Sequence, residues 1–268
     1  MIALLRQQLR DRRNALLGWT VGWLALVGLY VATWPTVRAH GRQYDAILRD
    51  LPAALRSAIG NQDGGAFSTP AGYFTAELLA VTGPALAMTM GVLLGAGAVA
   101  REEEDGTLEV LLAQPFSRTN VLAARALEAL AELAGVLLVA GLALYGLGHL
   151  VDLHLGIAAC LRAVAMLCLL GLEGMALGLL AGAVSGRSGR SKAVAGAVGL
   201  AGFLLNALGP SIDWLSGWVR LSPFHTLVAS DPFRRTPPVL SIVALAAPSL
   251  VLALVAVQAF GRRDLRFR

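Results

Sequence analysis

One polar segment separates two long apolar runs of the sequence: Val99-Ala-Arg101-Glu-Glu-Glu-Asp-Gly106-Thr-Leu-Glu-Val-Leu-Leu-Ala-Gln-Pro115-Phe-Ser-Arg118-Thr-Asn120. It holds five of the 17 acidic residues of the 268-residue chain, namely Glu102, Glu103, Glu104, Asp105 and Glu109. Each flanking run is long enough to supply the ~20 apolar residues that a helix needs to cross a bilayer. We therefore expect this polar segment to lie outside a membrane, between two spanning helices.

The second half of the polar segment has the pattern of a short helix. Gly106 is a candidate turn residue, because glycine accepts positive φ without steric cost. Thr107 can cap the helix, Glu109 favours its first turn through the helix dipole, and Pro115 ends it. Three leucines share one face: Leu108, Leu111 and Leu112. Such a face fits a groove on a soluble partner; a solvated loop with its leucines on lipid headgroups is the alternative.

Composition places the rest of the chain in a membrane. The mean hydropathy is +0.67, and 56% of the residues are hydrophobic against 15% charged. These values are typical of a polytopic membrane protein and not of a soluble domain. The net charge of +5 is concentrated at the two ends, which suits anionic membrane lipids better than nucleic acid. The sequence thus predicts an all-α membrane protein with no nucleic-acid partner.

Six spans are predicted, together with short helical segments outside them. The N-terminal segment 1–14 alternates leucines and arginines as an amphipathic helix in the membrane interface would. Ser117 can cap a helix that begins near Arg118 and runs into the third span. The residues 101–128 form the loop between spans 2 and 3. The spans are predicted at 15–34, 76–100, 130–150, 157–184, 193–208 and 238–260.

The distribution of Lys and Arg predicts the orientation. Of the 22 basic residues, 14 lie on the side that holds the polar segment and both termini, and 7 lie in the loops 35–75 and 209–237. The remaining one, Arg162, lies inside the fourth span. Basic residues favour the cytoplasmic side. Both termini and the polar segment are therefore expected in the cytoplasm.

Two charged residues of the fourth span are candidate functional groups. Arg162 and Glu173 are eleven residues apart, so the helical rise separates them by about 16 Å and they do not pair directly. Arg162 can reach outward, whereas Glu173 lies near mid-membrane, where a bare charge costs at least ~2.5 kcal/mol. A substrate path, a subunit seam and a structural polar contact are all open to these two side chains.

Glycines recur every fourth residue in two spans, and small residues at this spacing let helices approach closely. The stripe consists of Gly91 and Gly95 in the second span and of Gly174, Gly178, Gly182 and Gly186 in the fourth. Packing within one chain and a seam between two chains are both compatible with it.

Catalytic and metal-binding patterns are weak. No Gly-x-x-x-x-Gly-Lys-Ser/Thr motif is present, so any ATP hydrolysis must come from another chain. His149, Asp152 and His154 lie close together in sequence, but an ordinary polar turn explains them better than a metal site does. The chain is expected to bind no metal or cofactor of its own and not to be an enzyme.

The polar segment resembles the cytoplasmic loop of ABC-2 type transporter permeases, which combines acids, Gly-Thr-Leu-Glu, two leucines, a proline and a Ser-Arg pair. The resemblance implies a coupling helix over 106–112 that docks on a separate ATPase subunit, with the acids as its lead-in. The implied ATPase contacts are Glu102, Glu103, Glu104, Gly106, Thr107, Leu108, Glu109, Leu111, Leu112, Pro115 and Arg118.

The resemblance also implies partners and a cellular role. Two permease chains, as a homodimer, would pair above two ABC ATPase subunits that carry the ATP and magnesium. The segments 51–60 and 69–74 are similar to those of bacterial permeases associated with antibiotic or drug export. The implied function is an exporter in the bacterial inner membrane that moves a hydrophobic or amphipathic substrate such as a drug, an antibiotic or a lipid.

Two other functions remain compatible with the residues. An ion-gradient-driven carrier needs an ionisable group near the midplane, and Glu173 is the candidate for it. Such a carrier would work without ATP and would fail when Glu173 is neutralised. A membrane anchor that binds an ATPase without transporting anything would show no substrate-stimulated hydrolysis.

Overall fold

The computed structural model describes residues 2–50, 67–98 and 118–262. Within these ranges the chain forms helices and contains no strand, which confirms the predicted all-α class. We number the main helices α1 (Ile2–Asp50), α2 (Pro70–Gly97), α3 (Arg118–His149), α4 (Ile157–Ser185), α5 (Ser188–Leu208), α6 (Pro223–Ser230) and α7 (Val239–Arg262). Among the described residues, all of these except the short α6 are long and apolar enough to cross a membrane, as predicted.

Helix α1 is longer than the sequence indicates. The predicted interface segment and the first span belong to one continuous helix, so no break separates residue 13 from the span. The helix also passes through Pro35 and is described as far as Asp50, beyond the predicted end at Trp34. Proline is disfavoured inside a helix, yet the helix continues here, and the nearby Trp34 and Val37 are buried. The position of 2–13 in the membrane interface stays a prediction.

Helix α4 is the centre of the bundle, where it packs against α2, α3, α5 and α7. Glycines line its contact with α2: a methyl group at Gly174 would lie 2.6 Å from the carbonyl oxygen of Met88, and one at Gly91 would overlap the carbonyl oxygen of Gly171. The glycine stripe therefore joins two helices of one chain. Gly186 does not continue the stripe, because it ends α4 in the left-handed region at φ 59°.

The two ends of the bundle are distinct. The upper end holds the α3–α4 turn and the segment between α5 and α7, and there Arg38 and Asp152 form an exposed ion pair at 3.8 Å. The lower end holds residue 98, the start of α3 and the α4–α5 turn. Helix α5 begins at Ser188, within the stretch 187–192 that the sequence predicts as a loop.

Candidate functional site

The predicted ATPase-contact residues lie mainly outside the described residues. Only Arg118 belongs to the structure, as the first residue of α3. The roles of 102–115 stay predictions. The structure does show what the polar segment connects: α2, which reaches Gly97, and α3, which begins at Arg118, both at the lower end.

Both helices that flank the polar segment are held to α4. At the end of α2, a methyl group at Gly178 of α4 would lie 2.6 Å from the carbonyl oxygen of Val92 and 2.7 Å from the amide nitrogen of Ala96. At the start of α3, Leu122 is 1% exposed. It belongs to a small apolar cluster that joins α3, α4 and α7: Leu122, Leu179, Ala183, Ala256 and Phe260. A displacement of the polar segment would therefore reach α4 through two packed contacts.

Hydrogen bonds fix the α4–α5 turn beside this cluster. The Ser185 hydroxyl donates to the Ala181 carbonyl at 2.7 Å, and the Ser191 hydroxyl donates to the Arg187 carbonyl at 2.8 Å. The two serine hydroxyl oxygens lie 3.0 Å apart. The turn thus holds α5 to α4 while the Arg187 side chain stays exposed.

The structure does not bring Arg162 and Glu173 together. Arg162 Nε donates to the carbonyl oxygen of Pro232 at 3.0 Å, which ties α4 to the segment before α7 at the upper end. Glu173 is half-buried, and its Oε2 atom has no hydrogen-bond partner within the described ranges. On the helical wheel it points away from the glycines that contact α2. Arg162 is thus a structural link, whereas Glu173 is a buried acceptor left open.

The helical rise per residue gives the depth of Glu173 between the lower and upper ends of the bundle. Ala183 and Phe260 share the lower cluster, and Glu173 lies ten residues, about 15 Å, above Ala183. Eleven residues above Phe260, at about 16 Å, is Ser249, which follows Pro248 in α7. Proline lacks an N–H and so leaves a carbonyl of the preceding turn without its helical donor. Glu173 therefore lies at about the depth of Pro248 in α7.

A second acid in the spans, Glu77, was missed by the sequence reasoning. It lies in a π-helical part of α2, Thr75–Thr82, and π-helical turns are frequent at functional sites. The Thr82 hydroxyl donates to the carbonyl oxygen of Glu77 at 2.7 Å. In the described parts of the chain the Glu77 carboxylate makes no hydrogen bond and no ion pair. The available signal was an acid inside an apolar run; the π-helix itself has no sequence signal.

Aromatic rings surround the neighbouring Tyr73 near the upper end. The centroid of its ring lies 6.3 Å from that of Tyr30, 5.7 Å from that of Trp34 and 5.3 Å from that of Phe67. The Tyr73 hydroxyl lies 2.6 Å from the Thr33 hydroxyl. α1 and α2 are thus joined by rings and hydroxyl groups in their upper halves.

An open groove of about 400 Å³ lies further down between the same two helices. It is lined mainly by glycine, alanine and tryptophan: Ala15, Gly18, Trp19, Gly22, Trp23 and Leu86. Nothing lies within 4 Å of a methyl group built at Gly18 or Gly22. The groove is therefore open and apolar, with room for a lipid chain or an apolar part of a substrate.

His225 is a buried polar group at the upper end. It belongs to α6, which is fixed to α5 because the Ser222 hydroxyl donates to the Gly202 carbonyl at 2.8 Å. Its Nδ1 atom has no hydrogen-bond partner among the residues that the structure describes. Burial lowers the pKa of His225, and the nearby positive charge of Arg220 lowers it further. The imidazole is therefore held neutral near pH 7.

Within the described residues no group of three or more His, Cys, Asp or Glu side chains could hold a metal ion. His149 packs edge-on against Tyr145 at 4.6 Å between ring centroids, and a nitrogen of His154 lies 2.7 Å from the Asp152 carbonyl oxygen. These residues form an ordinary polar turn.

Comparison with known families agrees with the helical architecture. A family model described as ABC-2 family transporter protein matches residues 2–265, nearly the whole chain. No curated protein sequence matches the chain.

Proposed function

Because the chain belongs to the ABC-2 family of transporter proteins, we propose that it is the permease subunit of an ATP-driven exporter. ABC-2 permeases are membrane subunits without catalysis of their own, and they normally work with an ABC ATPase. The family match over 2–265, together with the six apolar helices, carries the proposal. In the proposed assembly two ATPase subunits bind ATP and magnesium, and this chain binds neither.

The polar segment is the proposed contact with the ATPase. Its flanking helices support this role, because α2 meets α4 at the glycine contact and α3 meets α4 and α7 at the lower cluster. When ATP closes the ATPase pair, the segment 107–112 moves with it. α2 and α3 then carry the displacement to α4, because packed contacts transmit displacement and do not absorb it.

The proposal includes an orientation, a location and a subunit number. The lower end is cytoplasmic in our proposal, because the side predicted to hold most of the Lys and Arg residues includes the polar segment. The membrane is the inner membrane of a bacterium. Helices α1, α5 and α7 bury a small share of their spans inside one chain. Pairing with a second, identical permease chain would cover part of these faces.

The proposed substrate is amphipathic or hydrophobic, such as a drug, an antibiotic or a lipid. The spans carry few polar groups, and the groove between α1 and α2 is apolar and open. Few charged side chains of α2 interrupt this path, and Glu77 is one of them. A substrate with a large apolar part and a small polar group fits such a path.

Co-purification tests the ATPase contact. The detergent-solubilised chain is purified from its native host with Leu108→Asp and Leu112→Asp introduced together, and the ATPase that co-purifies is identified by mass spectrometry. The matched control is Leu221→Asp, because Leu221 is a leucine 71% exposed at the upper end. We expect the ATPase with the native chain and the control, but not with the double variant. Equal recovery with all three, or no ATPase with any, would refute the proposed contact.

An ion-gradient-driven carrier is the second candidate, because Glu173 Oε2 is buried and unpartnered among the described residues. Transport in vesicles separates the two mechanisms. A carrier would continue after ATP depletion while the gradient lasts and would stop in Glu173→Gln. An ABC exporter would stop on ATP depletion whatever the gradient. An anchor without transport would bind the ATPase but show no substrate-stimulated hydrolysis.

A further inference from the structure

The π-helical part of α2 changes which side chains face α1. Nine residues separate Tyr73 from Thr82, and in a regular α-helix of 3.6 residues per turn they would lie on opposite sides. Thr75–Thr82 is π-helical, and its i→i+5 bonds put more residues into each turn than an α-helix has, which reduces the rotation between Tyr73 and Thr82. Tyr73 and Thr82 therefore share one side. Glu77, about one turn from each, lies between them.

Hydrogen bonds confirm which helix this side faces. The Tyr73 hydroxyl lies 2.6 Å from the hydroxyl of Thr33 of α1, and the Tyr30 hydroxyl of α1 lies 3.1 Å from that of Thr82. Both contacts join α1 to α2, one on each side of Glu77 along the helix. We call these five side chains the Glu77 layer: Tyr30, Thr33, Tyr73, Glu77 and Thr82.

The hydroxyl groups of the Glu77 layer already make other hydrogen bonds. The Tyr73 hydroxyl also reaches the Tyr30 carbonyl oxygen at 3.3 Å, and the Thr82 hydroxyl donates to the Glu77 carbonyl oxygen, not to the carboxylate. The carboxylate itself has no hydrogen bond or ion pair within 2–50, 67–98 and 118–262, and the residue is half-buried. A carboxylate in an apolar span must be protonated, wetted or paired. The described residues supply no cation for it.

Its surroundings favour an organic cation over a metal ion. A metal ion requires several oxygen ligands, and the hydroxyl groups here already bond to one another. An ammonium group needs only one carboxylate, and aromatic faces add to its binding. The rings of Tyr30 and Tyr73, two members of the Glu77 layer, lie nearly at right angles to each other, with 6.3 Å between their centroids. The groove that begins at Leu86, lower on the same interface, is apolar.

We propose that the Glu77 layer binds the positively charged head of a lipophilic ammonium substrate, with the Glu77 carboxylate as its counter-ion. The apolar part of the substrate lies along the α1–α2 interface toward the groove. This assignment rests on the proposed transport function and specifies its substrate class: an amphipathic organic cation. The π-helix is the device that presents the carboxylate to α1 between two fixed hydroxyl contacts.

Binding in lipid nanodiscs tests the assignment. The chain is placed in phosphatidylcholine nanodiscs and titrated with a fluorescent aryl-alkyl ammonium compound, and empty nanodiscs give the background partition. The compound's uncharged N-acetyl analogue is titrated in parallel. We expect Glu77→Gln to weaken binding of the ammonium compound at least tenfold without changing that of the analogue. Glu173→Gln, the matched control, should leave both unchanged.

Two further measurements keep the test decisive if Glu77→Gln folds poorly. Tyr73→Phe keeps the ring but removes the hydroxyl, so it should retain most of the ammonium binding. In the unmodified chain, a hydrophobic carbodiimide should label Glu77, and the ammonium compound should protect Glu77 but not Glu173 from labelling, as read by peptide mass spectrometry. Protection of neither, or equal binding of the charged and uncharged compounds, would overturn the assignment.

The result of the ammonium-binding test is independent of the result of the ATPase co-purification test. Loss of ATPase co-purification on Leu108→Asp and Leu112→Asp tests the transporter proposal without any ligand. Ammonium binding tests Glu77 without any ATPase. A chain that binds its ATPase but not the ammonium compound would refute the Glu77 assignment and leave the transporter proposal standing.

Discussion

Replacing Gly91 by alanine should destabilise the bundle, because the added methyl group would overlap the carbonyl oxygen of Gly171. Side-chain rotation cannot relieve this overlap, because the Gly171 oxygen belongs to the backbone and not to the end of a flexible side chain. Overpacking of this kind typically costs about 1–3 kcal/mol. Alanine also gains roughly 0.5–1 kcal/mol in helix propensity over glycine. The net loss in free energy of unfolding is therefore expected within the range of about 0–2.5 kcal/mol, centred near 1 kcal/mol.

Gly135 provides the matched control, because it lies inside α3 and nothing lies within 4 Å of a methyl group built there. Gly135→Ala should leave the chain unchanged or stabilise it by up to about 1 kcal/mol. Both variants replace a helical glycine by alanine, but only Gly91→Ala is expected to lower the free energy of unfolding. The assay is unfolding by SDS titration in mixed micelles, followed by circular dichroism. Equal midpoints for Gly91→Ala and Gly135→Ala would refute close α2–α4 packing.

Three further predictions concern polar groups and one turn. The pKa of His225 is lowered in the folded chain, so the unfolded chain binds more protons at pH values below the ordinary histidine pKa of 6.5. The free energy of unfolding should therefore fall as pH drops below about 6.5. This fall should be smaller in His225→Gln. Arg162→Gln should remove the bond to the Pro232 carbonyl and cost about 1 kcal/mol, seen as a lower unfolding midpoint, whereas an unchanged midpoint would show that bond to be dispensable. Gly186→Ala should cost about 1–2 kcal/mol, because Gly186 has φ 59°, and Gly189→Ala, which meets no atom within 4 Å, should not.

The helical class and the spans were predictable because they depend on local composition. Runs of about 20 apolar residues have few alternatives to a spanning helix. Helix ends that depend on tertiary packing were not predictable. The continuation of α1 past Pro35 relies on buried neighbours such as Trp34, and Ser188 begins α5 within a stretch whose charges indicate a loop.

The candidate sites also differ in how far the sequence could predict them. The residues 102–115 were recognised from a sequence pattern and lie outside the described residues, so their roles stay predictions. Glu173 was found because a lone acid in a span is visible in the sequence, and its burial agrees with that reading. Glu77 is equally apparent in the sequence as an acid within an apolar run. The side of α2 on which it lies depends on that part being a π-helix and not an α-helix. Residue propensities do not distinguish those two forms, so the π-helix could not be predicted.

The π-helix also lets α2 hold one residue more than a regular helix without changing the side that its upper part turns to α1. A π-helical turn accommodates one more residue than an α-helical turn does. Deletion of a single residue within Thr75–Thr82 would therefore permit an ordinary helix, and the residues before it would keep nearly the same rotation relative to the half fixed on α4. Tyr73 and the rings around it would stay on α1. Such a deletion should be tolerated better than one in the regular part Gly83–Gly97, where each lost residue rotates the preceding residues by about 100°.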